Sequence, residues 1–423
     1  MKAVKRYVLF LQVASLLLFS NIARAKKAPI GLLSTVRVLE TMLNDAPVEI
    51  RRVEATHGWL HVEIVYRDAA QPLLIDLVST ILERPHRIAY FIPGGTSFRS
   101  SFFTPTRDNL AHHFRRNGRF VVGITPREAL MTETDDVSAM ADFGLAKHRD
   151  DIRRIVEKTQ SALDLPYYEL LGYSIGGEYA LDYAATYPGE ASAVTVLGLE
   201  SFDPIGDADD VAGAALIFDA ACSLMADDVL YDNGLAMLKG LTEAARLYPM
   251  GDSGESREAL GLPGNFTIEG LVYFSAIHTG SLPGFHTTLT GLPGEWWNKS
   301  HLLGTYSFAP DPYNDSYEFA LTEYEAMTAG VLSMESGLVP LAVYRDNAAV
   351  NAHNGAYIID WEAIDAPVTW INAENGMGNH MYAASRIEAA GTGVDAIVIP
   401  DFGHADLTWS DTAKTDVWPL LAR

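Results

Sequence analysis

The residues best suited to chemistry in this chain are grouped around Ser174, in the run Gly172-Tyr173-Ser174-Ile175-Gly176. A short apolar stretch, Glu169-Leu170-Leu171, leads into the run. Residues 177–187 beyond it place Ala, Leu and Tyr at helical spacing. This pattern predicts a buried strand, a tight turn and a helix. A serine in such a turn is held at strained backbone angles, and its flanking glycines are required because no Cβ fits where strand and helix pass so closely. The turn pushes the hydroxyl clear of the fold. It also leaves the Ile175 N–H, at the positive end of the helix, aimed at an incoming oxyanion. Those are the parts of a serine nucleophile for acyl transfer. The plain alternative is a glycine-rich turn with a passive serine.

The elements that would position Ser174 are legible on both sides of it. Residues 48–54 and 59–66 read as paired strands around Thr56-His57-Gly58, and residues 71–83 have the Leu/Ile spacing of a helix. Residues 87–92 form a compact apolar strand ending in Pro93-Gly94-Gly95-Thr96. Another strand is predicted at 120–124, an amphipathic helix at 147–163, and a further strand at 193–199. Strands that alternate with helices in this way predict an α/β architecture, with a mostly parallel sheet covered on both faces. From residue 203 to about 360 the rhythm changes to Gly, Pro and aromatic residues with helical stretches and few strand runs. The alternation resumes at 367–372 and 396–400. The expected organisation is therefore a leader at 1–25, a core at 26–202, a mainly helical cap at 203–360 folded over the carboxyl edge of the sheet, and a second core segment at 361–423.

On these features the chain resembles the α/β-hydrolases. The turn at Ser174 matches their nucleophile elbow, and Asp401-Phe402-Gly403-His404 matches the Gly-His pair after their last strand, with serine preceding histidine in the chain. The resemblance covers 87–202 and 361–423 and hardly touches the cap. It implies that His404 is the general base that takes the Ser174 proton and returns it to the leaving group. It also implies an oxyanion hole from the Gly95 and Ile175 amides, to which Thr96 could add its hydroxyl. Many relatives carry His-Gly where this chain has Pro93-Gly94, so a side-chain role there is absent. The acid departs from the pattern. Relatives show Gly-x-x-Asp after the strand matching 367–372, whereas this chain reads Ala373-Glu374-Asn375-Gly376. Glu374 is the nearest carboxylate and the first choice. Glu200, at the end of the preceding core strand, is the alternative, with Asp203 just beyond it. Asp406 reads as structural, a cap for the final helix.

Composition bounds the rest. The formal net charge is −23, and removing Lys2, Lys5, Arg6 and Arg24 with the leader leaves 27 basic against 54 acidic residues, or −27. Such a surface repels nucleic acid and anionic membranes. A basic n-region, an apolar run at 7–19 and Ala23-Arg24-Ala25 predict a cleaved export signal, a mature start at Lys26, a periplasmic or extracellular location and no stable membrane anchor. Cys222 is the only cysteine, so no intramolecular disulfide can form. No zinc motif or phosphate loop is present: His57 and His61, four apart on a predicted strand, do not share a face as ligands on a helix would. No metal or organic cofactor is expected. Cap aromatics, with the exposed patch expected at Gly-Glu-Trp-Trp 294–297, are candidates for an acyl wall. The reading that follows is an exported serine hydrolase acting on a small or polymeric carboxylic ester. A peptidase or amidase on the same residues and a non-catalytic binding relative are the alternatives.

Overall fold

A computed structural model describes residues 30–56, 58–95, 99–105, 108–278 and 300–421. Its centre is a nine-stranded sheet: β1 (Val48–Ala55), β2 (Trp59–Tyr66), β3 (Leu73–Thr80), β4 (Arg87–Ile92), β5 (Arg119–Thr125), β6 (Tyr168–Tyr173), β7 (Ala193–Leu197), β8 (Val368–Ala373) and β9 (Val394–Ile399). The spatial order is β1-β2-β3-β5-β4-β6-β7-β8-β9. The first three strands and the β3–β5 pair are antiparallel, and every pair from β5 to β9 is parallel.

The inner parallel strands are largely apolar because both of their faces are covered, whereas the edge strand β9 is mostly half-buried or exposed. Successive side chains point to opposite faces, so Tyr90 and Leu170 join one core cluster while Phe91 and Leu171 join the other. Helices Ile30–Asp45, Leu145–Leu163 and Ile175–Thr186 supply the first cluster, and helix Leu110–Arg116 with the C-terminal turns supplies the second. The expected alternation thus folds as an α/β sheet. A mainly helical insertion, carrying helices Ala208–Ala226, Gly234–Leu247, Ile268–Ile277, Tyr324–Leu332 and Leu341–Asn351, lies between β7 and β8. Among the described residues it also contains three two-stranded ribbons that the sequence did not signal. Among the described residues no helix is long and apolar enough to cross a membrane. The predicted leader, His57, Thr96 and the Gly-Glu-Trp-Trp patch lie outside the described residues.

One expected element is corrected. Residues 71–83 are not a helix: 73–80 form β3, paired with β2 and β5. Leu73, Leu74, Ile75, Leu77 and Val78 are all fully buried. A short, continuously apolar segment suits a strand covered on both faces as well as it suits a helix, and pairing partners on both sides decided the outcome.

Asp76, also fully buried in β3, is tolerated because it is paired. Arg99, which follows the turn after β4, donates from Nε to Asp76 Oδ2 at 3.0 Å and from Nη2 to Glu63 Oε2 at 2.9 Å. His61 Nε2 lies 2.6 Å from Asp76 Oδ1. Burial alone would raise the Asp76 carboxyl, but Arg99 and His61 outweigh it and hold it down at about 2. The guanidinium thereby ties the chain leaving β4 to β2 and β3. Replacing Arg99 with Met should leave Asp76 with His61 alone and Glu63 with Arg51, whose Nε is 3.3 Å from Oε1, and cost about 3 kcal/mol. Urea unfolding of the variant against the parent measures this, and a loss below about 1 kcal/mol would show that the network contributes little.

Candidate active site

The carboxyl ends of β4, β6, β7, β8 and β9 meet at one edge, and Ser174 stands at its centre. The chain leaves β6 and enters helix Ile175–Thr186 through this one residue, at φ 54° and ψ −134°. Positive φ is costly for a residue with a Cβ and persists only where surroundings enforce it. The enforcement is visible in the neighbouring glycines. A Cβ on Gly172 would lie 2.1 Å from the Gly176 carbonyl oxygen, and one on Gly176 would lie 2.2 Å from the Ile92 carbonyl oxygen. Ser174 N–H donates to Leu197 O at 2.7 Å, and Gly177 N–H donates to Ser174 O at 2.7 Å. The serine is half-buried, and Ile175 is the first helical residue.

Gly94, after β4, is packed directly against the serine: a Cβ there would be 2.5 Å from Ser174 Cβ. Gly95 follows in the left-handed region at φ 50°. From the far side comes His404, buried, with its ring stacked on Tyr173 at 4.8 Å. Its Nδ1 and Cε1 edge faces the end of β7, where a Cβ on Gly198 would lie 2.6 Å from either atom. Gly376, after β8, closes on the His404 backbone, 3.1 Å from its N and Cα by the same measure. The fold therefore brings Ser174 with Ile175, Gly94–Gly95 and His404 together from three separate segments.

No family model and no curated protein matches the chain. Solved structures do. A candidate lipase from Sulfolobus solfataricus superposes with a TM-score of 0.56 at 12% identity, over 88% of this chain and 97% of that one. The chain has the α/β-hydrolase fold. A thermostable carboxyl esterase from Bacillus coagulans (TM-score 0.40, 13% identity, 82% and 92% coverage) and a proline iminopeptidase from Mycobacterium smegmatis (TM-score 0.39, 14% identity, 82% and 92% coverage) are also similar.

Ser174 and His404 thus stand at the same sheet edge, but among the described residues no Ser–His–acid triad is identifiable. Glu374, exposed just after β8, accepts through Oε2 from the Asp401 amide at 3.0 Å. It braces the loop that leads to His404. Glu200 is buried, two residues after the Gly198 that faces the imidazole. Asp203 accepts from the Ile205 amide at 2.9 Å, within its own turn. Asp406 is structural, though not as a helix cap. Its Oδ2 accepts from Gly403 N–H at 2.9 Å and Leu303 N–H at 2.8 Å, and its Oδ1 from Thr322 Oγ1 at 2.5 Å. Burial raises its carboxyl, against these three donors.

Three groups escaped the sequence reading. Asn372, buried in β8, accepts from Leu199 N–H at 3.1 Å and donates to the carbonyls of Leu199 and Gly378, each at 3.1 Å, so it fastens together the loops that carry Glu200 and Glu374. His301, from the insertion, places its ring 5.7 Å from that of His404, and burial lowers it to about 3, so it stays neutral. Glu178, one turn into the elbow helix, is fully buried and held by Asn347 Nδ2 at 2.8 Å. Its carboxyl is raised far above the usual range by burial first, then by the charges of Glu200, Asp182 and Asp346. None of the three stands in a motif, because each acquires its role from a partner remote in the chain.

A carboxyl whose folded-state value is raised adds stability that is present below its unfolded value, about 4.3, and is lost as pH climbs through the folded value. Glu178→Gln keeps the acceptor for Asn347 and is neutral at every pH. The variant should match the parent at pH 4 and exceed it in melting temperature by several degrees at pH 8. Melting curves at pH 4, 6 and 8 provide the comparison, and a pH-independent difference would contradict the buried neutral carboxyl.

Proposed function

We propose that the protein is a serine hydrolase that cleaves carboxylic esters through an acyl-enzyme. The observation that carries this is the Ser174 elbow with the His404 imidazole stacked on the adjoining Tyr173. Ser174 Oγ attacks the ester carbonyl while His404 takes its proton. The tetrahedral oxyanion is held by the Gly95 and Ile175 amides, each donor worth about 3 kcal/mol of barrier. His404 then protonates the departing alkoxide and activates the water that releases the acid. The N-terminal pattern supports export as the setting of this activity.

For the acid, the geometry favours Glu200 over Glu374. The Nδ1 edge of His404 faces Gly198, Glu200 follows in the same buried loop, and Glu374 is engaged by the Asp401 amide. A buried carboxylate there would fix the imidazole tautomer and stabilise the imidazolium.

Ser174→Ala should abolish turnover of a short-chain chromogenic ester and labelling by a fluorophosphonate. Retained turnover would remove Ser174 as nucleophile, and cleavage of an aminoacyl anilide in preference to esters would move the substrate class to peptides. Glu200→Gln should lower kcat by up to about 10⁴-fold while Glu374→Gln changes it far less. Paired kinetics on the two variants decide between them, and the reverse order would return the role to Glu374.

A further inference from the structure

A second cluster lies on the carboxyl edge, apart from Ser174 and His404, where the insertion leaves the core. Helix Ala208–Ala226 begins there, with Asp207 as its N-cap residue and Asp210 in its first turn. Acidic residues at these positions ordinarily serve the helix's own free N–H groups: the cap side chain accepts from an amide in the first turn, and an acid at the third position reaches back to the cap. Neither does so here. Asp207 forms no cap bond. Its Oδ2 accepts instead from Asp203 N–H at 2.8 Å and lies 3.5 Å from His380 Nδ1. Asp210 is only 8% exposed, and its Oδ1 is buried with no hydrogen-bond partner among the described residues. One ligand atom from each of Asp207, Asp210 and His380 lies within 4.8 Å of the other two.

His380 is held in place by the fold. It sits in the loop after β8, which is stitched to the turn after β7. Ser201 N–H donates to His380 O at 2.9 Å, Tyr382 N–H donates to Ser201 O at 2.9 Å, and Ala383 N–H donates to Ser201 Oγ at 3.0 Å. The imidazole packs edge-on against Phe202 at 5.2 Å. A preset imidazole therefore faces two carboxylates, one of them buried with an oxygen that no described residue satisfies. Such an oxygen is costly to bury unless a positive charge completes it.

We infer that Asp207, Asp210 and His380 bind a divalent cation of the first transition series, with Zn²⁺ the best match. An imidazole nitrogen with two carboxylate oxygens suits Zn²⁺, whereas Ca²⁺ and Mg²⁺ favour oxygen ligands throughout. Two carboxylates and a neutral imidazole supply a charge of about −2, which balances the ion. Metal–ligand bonds of about 2.0–2.1 Å at tetrahedral angles put ligand atoms about 3.4 Å apart, close to the 3.5 Å between His380 and Asp207. A water would complete the coordination. The Asp203 amide bonded to Asp207 supplies the kind of outer contact that orients a ligating carboxylate. The ion would join the first helix of the insertion to the loop 375–381, whose Gly376 packs on His404. It would act as a clamp between cap and core, not as a participant at Ser174.

The test uses the full chain, stripped with a chelator, dialysed and titrated with Zn²⁺ in a calorimeter and with Co²⁺ by visible absorption. One equivalent of Zn²⁺ should bind, Co²⁺ should develop ligand-field bands, and saturation with Zn²⁺ should raise the melting temperature by several degrees. Asp210→Asn, which keeps shape, and His380→Gln should each weaken binding by at least about 100-fold, since even outer contacts to metal ligands cost about 10–100-fold. His86→Gln, an exposed histidine elsewhere, should leave binding unchanged. Circular dichroism checks that the variants fold, and Asp210→Asn decides alone if His380→Gln does not. Absence of binding, or binding unchanged in Asp210→Asn, overturns the site.

Discussion

Gly94, Gly172 and Gly176 let three stretches of backbone close on Ser174 at distances where any Cβ would strike a carbonyl oxygen or the serine itself. That approach forces the positive φ at Ser174, because the chain must reverse from strand to helix within one residue. The strain is held by rigid neighbours. β6 is paired with β4 and β7, and the Ser174 amide is bonded to the end of β7. The same bare edge recurs at Gly198 and Gly376, which make room for the His404 ring and backbone. Glycine at these positions is a requirement of the crossing geometry, and the position of the imidazole follows from it.

Charge is distributed around this edge in two ways. On the β3 side, Arg99 neutralises Asp76 and Glu63 and fixes the chain that leaves β4. Behind the elbow, Glu178 is buried among other carboxylates with Asn347 as its hydrogen-bond donor, and burial favours its neutral form. A protonated carboxyl fills the same volume with little charge.

The insertion is not a loose cover. Its returning segment is bonded to the histidine loop itself: His404 N–H donates to Ser300 O at 2.9 Å and Ala405 N–H to His301 O at 2.7 Å. Asp406 binds Gly403, Leu303 and Thr322 at once. Movement of the cap would therefore be felt at His404. The helix Leu341–Asn351, which ends the insertion, supplies Asn347 to Glu178 and Asp346 to the Leu145 amide, at 3.0 Å for the latter. The boundary between cap and core is accordingly shared at both ends of the insertion.

Local pattern alone determined the sheet's alternation, the elbow at Ser174 and the histidine after the last strand. In each case a short stretch carries its own reason: glycines at a tight crossing, an apolar run bounded by breakers, a Gly-His pair at a strand end. The helix expected over 71–83 is the strand 73–80 because a fully buried strand and a buried helix share an apolar composition, and only pairing with β2 and β5 separates them. The side-chain geometry around the histidine belonged to the tertiary structure. Glu374 has the right position in the chain, but the turn after β8 directs it to the Asp401 amide, whereas Glu200 is carried into the buried edge by β7. Asn372, His301 and the Asp207–Asp210–His380 cluster were illegible for the same reason. Their partners lie far away in sequence, and hydrogen bonding and desolvation become specific only after the sheet has brought the strand ends together.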